Sequence, residues 1–226
     1  MIIILVAATQ QEILPLIKQL EMVEIIDKRL SRYKCNDLSI YILITGVGMV
    51  ATAFECGRVF SRFKFDLAIN FGIAGTFNSD FNKGDVFEIE SDIFADMGAQ
   101  DGENFLSLAE LGLIKENEFP FSNNQLVNKN TIKNTVIETL KKVKGITVNL
   151  VHGEEKSIEK TLKLFNPEVE SMEGAAFFYS CFCADIPCVQ IRAISNIVEK
   201  RNREAWNIPI AVKKLNETAI QILKAF

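Results

Sequence analysis

Histidine is nearly absent from this chain, with His152 the only one among 226 residues. Multi-histidine metal sites are thereby excluded, and a histidine-based nucleophilic triad would have to use that one side chain. Cysteine offers no metal site either. The five cysteines, Cys35, Cys56, Cys181, Cys183 and Cys188, are odd in number, lie mostly among apolar neighbours and never show CxxC spacing. They read as reduced core residues. No apolar run approaches the ~18 consecutive residues of a membrane span, and Met1–Ala8 lacks the basic start of a signal peptide. Lysine and arginine are dispersed, and a net charge of −4 leaves no basic footprint for nucleic acid. The expectation is a soluble, cytoplasmic protein that works on a small molecule, with no metal or other cofactor and no nucleic acid or membrane as partner.

Apolar residues, by contrast, make up 48% of the chain, enough for a large core in one domain spanning 1–226. Ile2–Ala7 is a continuous apolar run that suits a strand covered on both faces, and Thr9 can cap a helix over Gln10–Leu20. Glu12 then falls in the first helical turn past a strand's C-terminal end, where open α/β sheets put their ligands. It would sit there equally well as a partner for the helix dipole. Ser31–Cys35 and Leu38–Ile44 flank a tight turn at Asn36-Asp37, which predicts a hairpin. Leu67–Phe71 and Val86–Ile89 read as further strands, and Phe94–Asp101 as an irregular loop. Residues 99–130 form the least periodic segment, a loop-rich excursion and a candidate lid. Thr131–Lys144 has helical spacing with Lys141, Lys142 and Lys144 near its end. Ile146–Val151 is a strand, Glu154–Phe165 a helix, and Asn202–Phe226 a helix with a possible break at Pro209. The alternation predicts a three-layer α/β/α fold on a central mixed, largely parallel twisted sheet.

Two glycine-bearing stretches follow strands. Gly46-Val47-Gly48-Met49-Val50-Ala51 is GxGxxA between a strand and a helix, the pattern of a dinucleotide fingerprint, yet Asp66 lies at the wrong end of the next strand to serve as its acid. A tight turn with close helix packing explains the glycines as well. Asn70–Thr76, with Gly72, Ile73 and Gly75, is a small-residue loop that lets backbone approach a ligand or another segment.

The chain is organised around Val169–Asn196, read as helix, turn and strand. Glu170 and Glu173 stand at the mouth of a helix that is apolar nearly all round, and buried carboxylates need strong reasons to be there. The strand ends at Ser195-Asn196. Arg192 inside it suggests a structural ion pair, while Arg201 and Arg203 beside Trp206 read as a solvated, partly packed helix start.

Taken in order, Ala8-Thr9-Gln10-Gln11-Glu12, Gly46-Val47-Gly48, Asn70-Phe71-Gly72-Ile73-Ala74-Gly75, Met172-Glu173 and Arg192-Ala193-Ile194-Ser195 resemble the motifs of the purine nucleoside phosphorylase-like superfamily, which includes methylthioadenosine/adenosylhomocysteine nucleosidase. The resemblance covers nearly the whole chain. Glu170–Gly174, Ser195–Glu199 and Arg201 with Trp206–Pro209 look like futalosine hydrolase, which splits futalosine into hypoxanthine and dehypoxanthine futalosine on a route to menaquinone. By that resemblance Glu12 activates water and Asn196 faces the purine, both as catalytic residues. Gly72, Ile73, Met172, Glu173, Ser195, Arg201 and Arg203 bind substrate, with Glu173 on the ribose hydroxyls, and a homodimer is implied. Asn196 departs from the adenine-cleaving enzymes, which carry an aspartic acid there, and an amide cannot protonate N7. The alternatives are an adenine-releasing nucleosidase or a purine phosphorylase on the same fold, and a non-catalytic purine-ligand or dinucleotide binder.

Overall fold

The computed structural model describes residues 1–226. The first half of the chain runs β1 (Ile2–Ala7), α1 (Gln10–Ile17), β2 (Glu21–Ile25), β3 (Leu30–Cys35), β4 (Leu38–Ile44), α2 (Met49–Phe60) and β5 (Leu67–Thr76). The second half runs β6 (Val86–Asp92), the hairpin β7 (Gly98–Asp101) and β8 (Asn104–Ser107), β9 (Leu126–Val127), α3 (Thr135–Thr139), β10 (Lys142–Thr147), α4 (Glu155–Phe165), β11 (Val169–Ser171), α5 (Gly174–Cys183), β12 (Cys188–Ile197) and α6 (Ile208–Lys224). No helix is long and apolar enough to cross a membrane.

β1 shows why an unbroken apolar run becomes a central strand. It pairs in parallel with β4 on one side and β5 on the other, so both its faces need cover. Ile3 and Leu5 pack with Ile13, Leu16, Leu215 and Ile222 beneath α1 and α6. Ile4 and Val6 point the other way, into a core with Val59, Phe177, Phe178 and Cys181 from α2 and α5. Each such side chain contributes roughly 1.5–3 kcal/mol on burial, and together they lock the strand's register.

Helices thus cover both faces of a mixed sheet, as the sequence suggests, but the sheet is not largely parallel. Its order is β11-β10-β6-β12-β5-β1-β4-β3-β2, and β11 also pairs with β5, closing five of the strands into a ring. β5 and β12, each ten residues long, are long enough to serve both the open sheet and this closure. The closure replaces the expected Asn70–Thr76 loop, because β5 continues through Thr76 with β11 and β12 on its two sides.

Other boundaries also move for physical reasons. α1 stops at Ile17 rather than Leu20, since Pro15 removes an interior donor and Gln19 closes onto Leu16 in a tighter turn. The helix expected over Thr131–Lys144 shrinks to Thr135–Thr139, capped by Asn134. Lys142 and Lys144 instead begin β10, whose Val143 and Gly145–Thr147 turn inward against β6 and β11, so that pairing overrides helical spacing. That strand ends at Thr147 rather than Val151. Pro209 does not break a helix but occupies the first turn of α6, after a short 3-10 turn at Arg203–Ala205.

A buried polar knot anchors the N-terminus of α5. Thr147 Oγ1 accepts from the Ala175 N–H at 2.7 Å and donates to Asp92 Oδ1 at 2.9 Å, while Gln190 Nε2 donates to Asp92 Oδ2 at 3.1 Å. Burial pushes the Asp92 carboxyl up to about 6, against the pull of Thr147, Gln190 and the Arg192 charge. Gly174 has no room for a side chain, since a Cβ there would sit 2.1 Å from Gln190 Oε1 and 2.2 Å from Asp92 Oδ2. Gly174→Ala should therefore cost about 3 kcal/mol of stability by overpacking, read as a lower urea midpoint; a change within about 0.5 kcal/mol would mean the knot is not rigid.

Candidate active site

Strand ends and the segments after them converge on a cavity of about 410 Å³. β1 delivers Ala8, Thr9 and Glu12, β5 delivers Ile73–Gly75, and β11 with its continuation delivers Glu170–Glu173. β12 delivers Ser195 and Asn196, and the segment before α6 adds Arg201 and Trp206.

Glu12 is held from three directions. Its Oε2 accepts from the Thr9 N–H and O–H, both at 2.9 Å, and its Oε1 accepts from the Ile73 N–H at 3.3 Å. Asn216 on α6 ties the same turn down by donating to the Glu12 carbonyl at 2.8 Å. The carboxylate is thus fixed yet lines the cavity, and its remaining lone pairs can take a hydrogen bond from a water.

Glu173 stands at the first position before α5 without a side-chain bond to that helix; its Oε1 instead accepts from the Gly48 N–H at the start of α2, at 2.9 Å. The GxGxxA loop therefore presents its helix N-terminus to a carboxylate of the same chain, in the place a dinucleotide's pyrophosphate would need. Burial raises the Glu173 pKa above the ordinary carboxylate value, the Glu12 charge adds to the rise, and the Gly48 N–H and Arg192 oppose it.

Arg192 does not form the expected ion pair. It is fully buried, with Nη2 donating to Asn70 Oδ1 and Nη1 to the Ile191 carbonyl at 3.1 Å. Burial pulls its pKa down, and the charges of Glu173, Asp92 and Glu12 push the other way. Its place is given by Gly72, where a Cβ would lie 3.1 Å from Arg192 Nη1 and 3.4 Å from Glu12 Oε1. Gly72 thus lets strand, guanidinium and carboxylate come together.

At the opposite end of the cavity Asn196 is oriented on both sides. Its Oδ1 accepts from the Ser195 O–H at 2.8 Å and its Nδ2 donates to the Ile197 carbonyl at 3.1 Å, leaving a second N–H unused. A bulge in the pairing with β5 between Ile194 and Asn196 turns consecutive residues toward the site.

Of the residues singled out from sequence, Glu12, Ile73, Met172, Glu173, Ser195, Asn196 and Arg201 line one cavity, with Gly72 directly behind it. Arg203 is exposed in the 3-10 turn and stays outside. Arg201 lies on the rim, its guanidinium 5.6 Å from the Trp206 ring centre. Glu170 is not at a helix mouth but in β11, and it and His152 line the cavity too. The lone histidine was the available signal for that pair; their separation in the chain hid it. Two carboxylates at one end and an oriented amide at the other can hold sugar hydroxyls, direct a water and hydrogen-bond a heterocycle.

Comparison with known proteins places the chain in a family. The model of the phosphorylase superfamily matches residues 2–226. A 5'-methylthioadenosine/S-adenosylhomocysteine nucleosidase of Haemophilus ducreyi is 28% identical over 93% of this chain and 91% of its own. A futalosine hydrolase of Thermus thermophilus is 26% identical over 80% of both chains. In fold, the futalosine hydrolase of Helicobacter pylori superposes with a TM-score of 0.81 at 15% identity, covering 100% of this chain and 98% of that one.

The raised Glu173 pKa has a measurable consequence. A protonated Glu173 accepts less well, so a ribosyl ligand held by this carboxylate should lose affinity as pH falls, beginning at a higher pH than an ordinary carboxylate dictates. Calorimetric titration between about pH 4 and 7 reads this limb, and Glu173→Gln should flatten it. An identical limb in the variant would remove Glu173 from ligand binding.

Proposed function

Because the chain belongs to the phosphorylase superfamily, we propose that it is a nucleosidase that hydrolyses the N-ribosidic bond of futalosine, releasing hypoxanthine and dehypoxanthine futalosine in menaquinone biosynthesis. N-glycosyl hydrolysis is the activity shared by the nucleosidase and the futalosine hydrolase to which the chain is similar. The observation that carries the choice of purine is the fixed amide of Asn196. Its second N–H suits the N7 and O6 acceptors of a 6-oxopurine, and Oδ1, which accepts from Ser195, keeps one further lone pair. The exocyclic amine of adenine would meet that N–H with another donor, and a buried donor left unpaired costs binding.

Cleavage develops oxocarbenium character on the sugar and negative charge on the departing base. Glu12, held by Thr9 and Ile73, orients and deprotonates the attacking water. Glu173 accepts from the ribose hydroxyls, and its charge faces the developing cation. Asn196 donates to the departing purine, while Gly72, Ile73, Met172 and Ser195 shape the walls. Arg201, on the rim, is the guanidinium available to a carboxylate on the substrate's arm; Arg203 does not line the cavity. Arg192 is the cation nearest the water end, and Glu12, Glu173 and Asp92 all contribute charge against it, which disfavours phosphate as the nucleophile. The same reading includes a homodimer, for Val50 and Phe54 on α2 are 81% and 66% exposed beside the Val47 wall of the cavity.

A second reading, an adenine-releasing nucleosidase, is favoured by the extent of the Haemophilus ducreyi match. Asn196→Asp separates the two. It should move the kcat/KM preference from futalosine toward its 6-amino counterpart by about tenfold or more, and an unchanged preference would refute the amide's role. Glu12→Gln should lower kcat by about 100-fold or more while purine nucleoside affinity persists. Hypoxanthine release should need no phosphate, and a strict phosphate requirement would overturn the hydrolase assignment.

A further inference from the structure

Glu12 sits just ahead of a defect in its own helix. Pro15 has no N–H, so the Gln11 carbonyl lacks the partner that an α-helix supplies four residues on. The next rung of the ladder would join the Glu12 carbonyl to the Leu16 N–H. Both of those groups are bonded to one side chain of another helix. The Leu16 N–H donates to Asn216 Oδ1 at 2.9 Å, and Asn216 Nδ2 donates to the Glu12 carbonyl at 2.8 Å. The remaining hydrogen of Nδ2 goes to the Val212 carbonyl of α6 at 2.7 Å.

Asn216 is buried, with an N–H on one side of its amide and two carbonyls on the other, so a single orientation of the amide makes every bond. It shares a stripe of α6 with Ile208 and Val212, each four residues apart, and those two line the cavity. One helix therefore forms part of the cavity wall and grips the main chain of Glu12. The tolerance of that grip is small. Glu12 Oε1 reaches the Ile73 N–H at 3.3 Å, a long hydrogen bond that a slight tilt of the turn would lose. On its other side the same oxygen is only 3.4 Å from where a Cβ on Gly72 would lie.

We propose that Asn216 is a positioning residue for the reaction: its amide, spliced into α1 between Glu12 and Leu16, holds Glu12 at the angle from which the carboxylate orients the attacking water. This rests on the nucleosidase reading and deepens it. Asn216 does not line the cavity and touches no substrate. Its influence passes through the Glu12 main chain, so it bears on the chemical step and leaves the purine end of the site, where Asn196 stands, unaffected. Pro15 makes the external grip necessary, because a helix that has lost one rung cannot fix this turn through its own ladder alone.

Asn134 supplies the control for a merely structural role. It is as buried as Asn216 and also donates to α6, but to the Ile222 carbonyl at 3.0 Å, further along the helix. Asn216→Ala should lower kcat on futalosine by about tenfold or more, while the calorimetric Kd for free hypoxanthine stays within about twofold of the unaltered protein. Asn134→Ala should lower the urea midpoint and leave kcat within about twofold. Asn216→Asp keeps the shape and the acceptor for Leu16 but, when ionised, has no hydrogen to donate. Its carboxyl can donate to the Glu12 carbonyl once protonated, so its kcat relative to the unaltered protein should rise as pH falls from about 9 to about 6. A kcat within about twofold in a folded Asn216→Ala, or an equal loss in Asn134→Ala, would overturn the proposal. If Asn216→Ala does not fold, a pH-independent ratio in Asn216→Asp would overturn it instead. No base release by the unaltered protein, from futalosine or from 5'-methylthioadenosine, would sink the nucleosidase reading and this one together; release with an unaltered kcat in Asn216→Ala would sink this one alone.

Discussion

A guanidinium with no access to water, Arg192, is the charge that the site depends on. Taking it out of solvent costs several kcal/mol unless opposite charge and hydrogen bonds surround it, and its only side-chain hydrogen-bond partner is the neutral Asn70. The opposing charge comes from Glu173, Asp92 and Glu12, none in direct ion-pair contact. The dependence is mutual. Those carboxylates would repel one another and give up their charge more readily without the cation between them. Two of them face the cavity and the third anchors helix α5, so one strand residue links the water end of the site to the placement of the helix that carries Glu173.

Distributing the charge this way, rather than in a close pair, leaves each carboxylate free for other partners. Glu12 keeps Thr9 and Ile73, Glu173 keeps the Gly48 N–H, and Asp92 keeps Thr147 and Gln190. A bidentate pair with Arg192 would have used up the lone pairs that a water or a sugar hydroxyl needs.

Much of this was legible in the chain, and the exceptions have physical causes. β1, the β3–β4 hairpin and α5 could be read because period and burial agree there: alternation into two cores, a two-residue turn, an apolar helix. Glu12 and Asn196 could be placed because each stands at the end of a recognisable strand, and Glu173 because it precedes a recognisable apolar helix. β11 could not, since three residues centred on Glu170 carry no periodicity, and the helical spacing before β10 gave way to pairing between residues far apart in the chain. Losing β11 hid the ring closure, and with it the position of Glu170 across Gly75 from Asn196. Arg192 was visible, but its role depends on three carboxylates from three separate segments, which no local pattern records.

The ring formed by β5, β11, β10, β6 and β12 has no free edge. Fraying usually begins where a strand is bonded on one side alone, and around this circuit every member is flanked twice. Amide protons of β5 and β12 should consequently exchange with solvent only when the whole circuit opens. The walls that carry Gly75, Glu170 and Asn196 then keep their spacing through the local fluctuations of the molecule, and adjustment to an incoming molecule falls to segments outside the circuit, the Gly46–Gly48 turn and the stretch from Arg201 to Trp206.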